Sequence, residues 1–170
     1  MRWTLFDSPI GELSVAVDEV GVCGVRFDPV AGAARADAES MPPDQAVPGA
    51  GWRSAVLAQL RAYFTGELTD FTVPLSVTRG SDFERAVWRE MTTIPYGEMR
   101  TYGEVATALG DPGAARAVGV ACNRNPIPVI VPCHRIVGAG GKLVGFGGGL
   151  PRKRHLLELE ARVALQRAWG

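Results

Sequence analysis

Three prolines fall within seven residues in the segment Asn125-Pro126-Ile127-Pro128-Val129-Ile130-Val131-Pro132-Cys133-His134-Arg135. Each ring fixes its own φ at about −65° and disfavours the helical region for the residue before it. Asn125, Ile127 and Val131 are therefore pushed toward extended conformations. Ile127, Val129, Ile130 and Val131 are too apolar to sit in water, so the chain is expected to reach Cys133 along a rigid, buried track. Such a track presents one thiol at a defined place. A free thiol titrates at about pH 8.5 and is mostly protonated at neutral pH, so chemistry there requires a base or a positive field. His134 is adjacent, and a base beside a nucleophile is the usual arrangement. A buried structural cysteine next to an unrelated histidine is the alternative that these residues leave open.

What surrounds this segment is an ordinary globular chain of 170 residues, with 46% hydrophobic and 21% charged side chains. That is enough chain for one domain or two small ones and argues against disorder. No apolar run reaches the roughly 18 residues a membrane span needs. The opening residues lack the apolar stretch and cleavage site of a secretory signal. Cys23, Cys122 and Cys133 stand at unrelated spacings, with no CxxC pair for zinc and no disulfide framework. A soluble, cytoplasmic protein without metal or cofactor is expected. The formal charge is zero, but residues 1–80 carry 6 basic and 10 acidic side chains, and residues 81–170 carry 12 and 8. A neutral chain with a basic half is a better nucleic-acid binder than an evenly neutral one.

The first half reads as strand-rich. Residues 3–6, 13–17 and 22–27 are short β-prone runs separated by turn signals around Asp7 to Glu12 and Asp18 to Gly21. Cys23 lies inside the third run and is expected to be a small buried thiol. Residues 28–51 show no sustained period and read as a loop or insert. Residues 52–64 read as a helix with Val56, Leu57, Leu60 and Tyr63 on one face, and residues 69–75 are placed back in the sheet. A boundary is expected at residue 78, giving domains 1–78 and 79–170.

Beyond it the local signals sharpen. Ser81 with Glu84 and Thr101 with Glu104 are capping boxes. The first opens a helix with Phe83, Val87 and Met91 inward, which Ile94-Pro95-Tyr96-Gly97 breaks. The second opens a short helix with Val105, Ala106 and Leu109 on one side. Asp111 and Pro112 are expected to cap and start the next helix, residues 114–122. Two short helices joined by a glycine-containing turn make a helix-turn-helix candidate. The second of them is smooth: Ala114, Ala115, Ala117 and Gly119 carry almost no side chain, and Arg116 projects. Val118 and Cys122 are assigned to the core. Small residues permit close helix packing, and they equally suit a groove too narrow for larger side chains.

After the thiol, residues 144–149 hold four glycines in six positions. Glycine lets a backbone approach a ligand closely, but the phosphate-loop pattern is absent. In the last helix, Leu157, Ala161 and Ala164 are assigned to the inner face with Leu156 beside them. Glu158 is expected to pair with Arg154 and Arg162. Glu160 has apolar helical neighbours, and a buried carboxylate needs a partner. His155 looks superficial, which leaves His134 as that partner.

With Pro132-Cys133-His134-Arg135 in place, the chain resembles the O6-alkylguanine-DNA alkyltransferases, the methylated-DNA–protein-cysteine methyltransferases. The matching motifs are Ile94-Pro95-Tyr96-Gly97-Glu98, Tyr102-Gly103-Glu104-Val105-Ala106 and Ala114-Ala115-Arg116-Ala117-Val118-Gly119. Asn125-Pro126, the Ile130 to Arg135 segment and the glycine-rich run before Arg152-Lys153 complete them. Residues 6–11 also look like the start of the stand-alone bacterial members. The resemblance implies an α+β fold: a ribonuclease H-like sheet-and-helix domain, then a mostly helical, winged-helix-like domain with the helix-turn-helix. It further implies flipping of O6-alkylguanine out of double-stranded DNA and irreversible, single-turnover transfer of the alkyl group to a cysteine. O6-Methylguanine would be the main substrate and O4-methylthymine a second.

By match, Cys133 would be the acceptor, activated through a water by His134, which Glu160 orients. Asn125 would hold the active-site turn, and Tyr102 would donate toward N3 of the base. The carbonyls of Cys133 and Ile136 would read its amino group, and the Gly147 N–H would face O6, with Phe146 where members often have tyrosine. Arg116 would replace the flipped nucleotide, while Ala114, Ala115 and Ala117 enter the minor groove and Arg135 contacts DNA. The protein would act as a monomer able to cluster on DNA. Two other functions fit parts of the pattern: a Cys-His hydrolase, and a helix-turn-helix protein that binds alkylated DNA without efficient transfer.

Overall fold

The computed structural model describes residues 2–35 and 50–170, and the chain divides into two compact units, Met1–Thr78 and Arg79–Gly170. In the first unit, β1 (Arg2–Ser8), β2 (Gly11–Val17) and β3 (Val22–Arg26) form an antiparallel meander. The first turn closes when Ser8 Oγ donates to the Gly11 carbonyl at 2.6 Å, and the second when the Val20 and Gly21 amides donate to Asp18 Oδ1. The helix α1 (Ala50–Phe64) packs on this meander. Its Val56, Leu57, Leu60 and Tyr63 are all buried, as their spacing demands, against a core that includes Phe6, Leu13, Val15 and Val25.

Three expectations for this unit are corrected. Ala34–Arg35 is a short strand, β4, pairing parallel with β1 through Thr4 and Leu5, and α1 already starts at Ala50. The segment 28–51 is thus not loop throughout, and its residues 36–49 lie outside the described residues. Residues 69–75 do not form a strand. Leu75 makes only an isolated bridge to Val22, as the Val22 amide donates to the Pro74 carbonyl and the Ser76 amide to that of Val22. Cys23 is half-exposed rather than buried.

The second unit begins with α2 (Asp82–Met91), capped reciprocally by Ser81 and Glu84. Its inward face is Val87, Trp88 and Met91, with Phe83 only half-buried. Trp88 is not among the residues the spacing places inward, and once buried its indole N–H requires an acceptor. It finds one in the Ala121 carbonyl, 2.8 Å away on the helix α4 (Ala115–Asn123). Between them lie β5 (Arg100–Thr101) and α3 (Tyr102–Ala108), the latter with its own capping box at Thr101 and Glu104. A 3-10 turn, Pro112–Ala114, joins α3 to α4. Asp111 stands at its start without a capping hydrogen bond, so the helix starts later than the Asp111-Pro112 signal predicts. Val118 and Cys122 of α4 are buried as expected. The strand β6 (Ile136–Val137) pairs parallel with β5.

The last helix, α5 (Leu150–Trp169), buries Lys153, Leu156, Leu159, Glu160 and Val163. That face is rotated from the expected one: Leu157 and Ala164 are half-buried and Ala161 is exposed. Glu158 is exposed and, among the described residues, pairs with neither Arg154 nor Arg162. No helix among the described residues is long and apolar enough to cross a membrane.

Candidate active site and DNA-binding helix

The proline track is buried throughout, from Pro126 to Val137. It is not simply extended, however. The Val131 amide donates back to the Ile127 carbonyl at 2.9 Å, and between them Val129 takes φ +72°. A β-branched residue in that left-handed region costs about 1–3 kcal/mol and persists only where its surroundings over-determine it. Asn125 is one such constraint. Its Nδ2 donates to the Val131 carbonyl at 2.8 Å, and its Oδ1 accepts from the Ile127 amide at 2.9 Å. One amide side chain thus pins both ends of the turn that delivers Cys133, which then opens a 3-10 turn, Cys133–Arg135.

Glu160 accepts donors from the positions next to Cys133 and from the Ile94 to Gly97 break. His134 Nε2 lies 2.7 Å from its Oε2, Arg135 reaches both oxygens (Nε at 2.8 Å, Nη2 at 3.0 Å), and the Gly97 amide donates at 3.3 Å. Arg135 Nη1 also donates to the Ile94 carbonyl at 2.7 Å. The Ile94 to Gly97 break therefore does more than end α2. Its Gly97 takes φ +79°, and a Cβ there would come within 2.9 Å of Ala164 Cβ on α5. These contacts correct the assignment of Arg135 to DNA. Its guanidinium is buried and committed to Glu160, because a buried carboxylate requires a charged partner. His134 is fully buried, and its Nδ1 has no hydrogen-bond partner among the described residues.

Burial pushes the Cys133 thiol up to about 11, against the opposing pull of the Asn125 side chain, the Lys153 charge and nearby backbone amides. Burial likewise lowers His134, against the pull of Glu160, so its imidazole is neutral at neutral pH. Burial opposes ionisation of Glu160, but the hydrogen bonds from His134 and Arg135 and the charge of Arg135, joined by that of His134 once acid protonates it, outweigh burial and hold the carboxyl at about 2. Both shifts make acid destabilising. The unfolded chain gains a proton on His134 near pH 6.5, which the folded chain takes up only at lower pH. Glu160 contributes stability that is complete above its ordinary value of 4.5 and is lost as pH falls toward about 2. Denaturant midpoints should fall as pH drops below about 6.5 and fall further below about 4.5. A stability profile flat from neutral pH to about 3 would contradict these environments.

Tyr102, at the start of α3, donates its hydroxyl to the Val144 carbonyl at 3.0 Å, and burial raises its pKa to about 12. Tyr102 and the glycine-rich run are therefore brought together. Within that run Phe146 is half-buried and Gly147 exposed beside the Asn123 carbonyl, and Ile136 is fully buried. Lys153 escaped the sequence reading, although Arg152-Lys153 closes the glycine-rich motif. It is fully buried, and its Nζ donates to the carbonyls of Ile136 (2.6 Å), Val144 (3.2 Å) and Gly145 (3.2 Å).

The helix α4 packs on α2 and α3 through Val118, Ala121 and Cys122. Arg116 and Ala117 face outward, with Ala114 and Ala115 half-buried. Arg116 forms no ion pair among the described residues.

Two family models divide the chain between them: 6-O-methylguanine DNA methyltransferase, ribonuclease-like domain, over residues 1–77, and 6-O-methylguanine DNA methyltransferase, DNA binding domain, over residues 82–162. The chain belongs to the 6-O-methylguanine DNA methyltransferase family. It is 48% identical over 162 residues to the methylated-DNA–protein-cysteine methyltransferase of Mycobacterium tuberculosis, covering 94% of this chain and 92% of that one. The protein of the same name from Methanosarcina acetivorans is 46% identical over 160 residues, with 94% and 98% covered. Among solved structures, Mycobacterium tuberculosis OGT in complex with DNA superposes with a TM-score of 0.81 at 45% identity, covering 96% of this chain and 94% of that chain. The α+β architecture with a helical DNA-binding unit is the family's.

Proposed function

We propose that this protein repairs O6-alkylguanine in double-stranded DNA by taking the alkyl group irreversibly onto Cys133. The observation that carries this is the buried Cys133 thiol, held by Asn125 next to a neutral His134 whose Nδ1 is unpaired and whose Nε2 faces the ionised Glu160. Cys133 sulfur attacks the alkyl carbon, the S–C bond forms, the C–O6 bond breaks, and its electron pair leaves with the guanine. The thiol proton passes toward His134 Nδ1, and Glu160 stabilises the imidazolium that forms. The Tyr102 hydroxyl, released from Val144, donates toward N3 as negative charge develops on the leaving base. The glycine-rich run, with Gly147 and Phe146, covers O6.

The target atom is out of reach inside a duplex, so the nucleotide must be turned out of the stack. The smooth face of α4 suits a minor groove about 6 Å wide, and Arg116 is free to take the vacated place. On this reading the protein works as a monomer in the cytoplasm, able to cluster on DNA. A thioether has no route back to the thiol, so a hydrolase-like cycle does not fit.

Incubation with duplex DNA carrying O6-methylguanine, followed by intact and peptide mass measurement, tests this. The expected result is a single methyl per molecule, on Cys133, and none in Cys133→Ser. Turnover over many equivalents, or methyl on Cys23 or Cys122, would overturn it.

A further inference from the structure

The helix α4 has an inner and an outer side. Val118, Ala121 and Cys122 face the core, and Gly119 lies against the Tyr102 ring, where an added Cβ would come within 3.7 Å. The outward strip consists of Arg116, Ala117, Val120, Asn123 and Arg124. Val120 is 55% exposed, a bulky apolar side chain on a strip otherwise made of alanine and polar residues. A single exposed valine is ordinary on most surfaces. Its place sets this one apart, because it stands one helical turn from Arg116 and beside the glycine that meets Tyr102. Helix propensity does not account for it either, since valine forms helices less readily than the alanines around it.

Residues four apart on a helix share a face and lie about 6 Å apart along its axis, and base pairs follow one another about every 3.4 Å. With Arg116 in the stack, Val120 therefore meets the floor of the minor groove within about two base pairs of the lesion. There A·T and T·A pairs show acceptors only, whereas a pair containing guanine adds the N2 amino donor. At the place of that amino group adenine carries a C–H. The valine methyls match the C–H. Against the amino group they exclude water and offer no acceptor, and a buried donor left without its hydrogen bond is costly. Arg116 only donates and Ala117 has no polar group, so neither neighbour supplies the missing acceptor. A β-branched side chain on a helix strongly prefers one rotamer, which keeps the methyls from swinging clear.

We propose that Val120 is a specificity-determining residue, which reads the base pairs beside the lesion from the minor groove and favours those without a 2-amino group. This rests on the alkyl-transfer function proposed above, which brings α4 into that groove. Lesions flanked by A·T are then engaged in preference to lesions flanked by G·C. The preference arises in binding, before any bond is made at Cys133.

The test is equilibrium binding, read by fluorescence anisotropy at fixed salt, to duplexes that carry one O6-methylguanine. Cys133→Ser is used so that the methyl stays on the DNA, with and without Val120→Ala. Each of the two base pairs on either side of the lesion is set in turn to G·C or to I·C, in which inosine lacks only the 2-amino group. At one position or more, Cys133→Ser should bind the I·C duplex about tenfold more tightly than the G·C duplex. Adding Val120→Ala should cut that ratio by about threefold or more. The weaker pairing of I·C is common to both proteins and cancels in the comparison. Val120 is exposed, so its replacement should leave thermal stability nearly unchanged. A smaller change in the ratio at every position, or a preference for G·C that Val120→Ala abolishes, overturns the proposal. Methyl transfer from duplex DNA to the parent protein is measured separately. Its absence would overturn the function while leaving the binding result to stand.

Discussion

Glu160→Gln should slow alkyl transfer by roughly a hundredfold or more, whereas Glu158→Gln should leave it unchanged. The two residues sit two positions apart on α5 and differ in everything else. Glu158 is exposed and, among the described residues, unpaired, so its neutralisation should move stability by no more than about 0.5 kcal/mol. Glu160 is 1% exposed and receives His134, both arms of Arg135 and the Gly97 amide. Glutamine keeps the shape but removes the charge, which leaves the Arg135 guanidinium buried without its counter-ion. Breaking one side of such a pair costs about 3–5 kcal/mol. It also removes the negative charge against which His134 takes up a proton. Single-turnover transfer should therefore be measured at a temperature where circular dichroism shows both variants folded. Equal rates under that condition would mean that Glu160 is a structural anchor for Arg135 and no part of the proton path.

Arg116→Ala should react slowly with O6-methylguanine in a duplex and almost normally with the free O6-alkylguanine base. Extruding a base costs a few kcal/mol of lost stacking, and a side chain inserted in its place offsets part of that. Losing about 2–3 kcal/mol corresponds to roughly a hundredfold in rate. A free base requires no extrusion and so should not register the change. The structure removes one rival explanation. Arg116 is exposed and forms no ion pair among the described residues, so its loss should barely alter stability. A simple phosphate contact would weaken DNA binding and flatten its salt dependence, yet leave the rate at saturating DNA intact. Single-turnover rates on both substrates at saturating DNA separate these cases, and matching losses on duplex and free base would exclude the wedge.

The parts of this molecule that could be read in its sequence are those whose cause is local. Ser81 with Glu84, and Thr101 with Glu104, satisfy one another within a single helical turn, so four letters suffice to place them. Val56, Leu57, Leu60 and Tyr63 declare a helix by spacing alone. The misses share a different cause. Arg135 and Lys153 look like surface residues because nothing within a few positions shows the carboxylate or the carbonyls that accept them. Their partners come from 25 residues away in one case, and from 17, 9 and 8 in the other. The helical neighbours of Glu160 place it inward, as it is, but on a face drawn through Leu157 and Ala161. The true face runs through Lys153, whose burial no hydrophobicity pattern would predict. Val129 is opaque for the same reason: a left-handed valine is imposed by Asn125 and its neighbours, against its own preference.

The high titration point of Cys133 also bears on how long each molecule lasts before it is used. A protein that can act once is lost to any electrophile that reaches its sulfur first, and cells contain many small ones. Cys133 is 6% exposed, and the burial that shuts out solvent also pushes its thiol upward, so at pH 7 it is less ionised than an exposed cysteine. Both effects slow indiscriminate alkylation. The sulfur gains its nucleophilicity only as its proton passes toward His134 with the damaged nucleotide in the pocket, so the lesion itself provides the licence to fire.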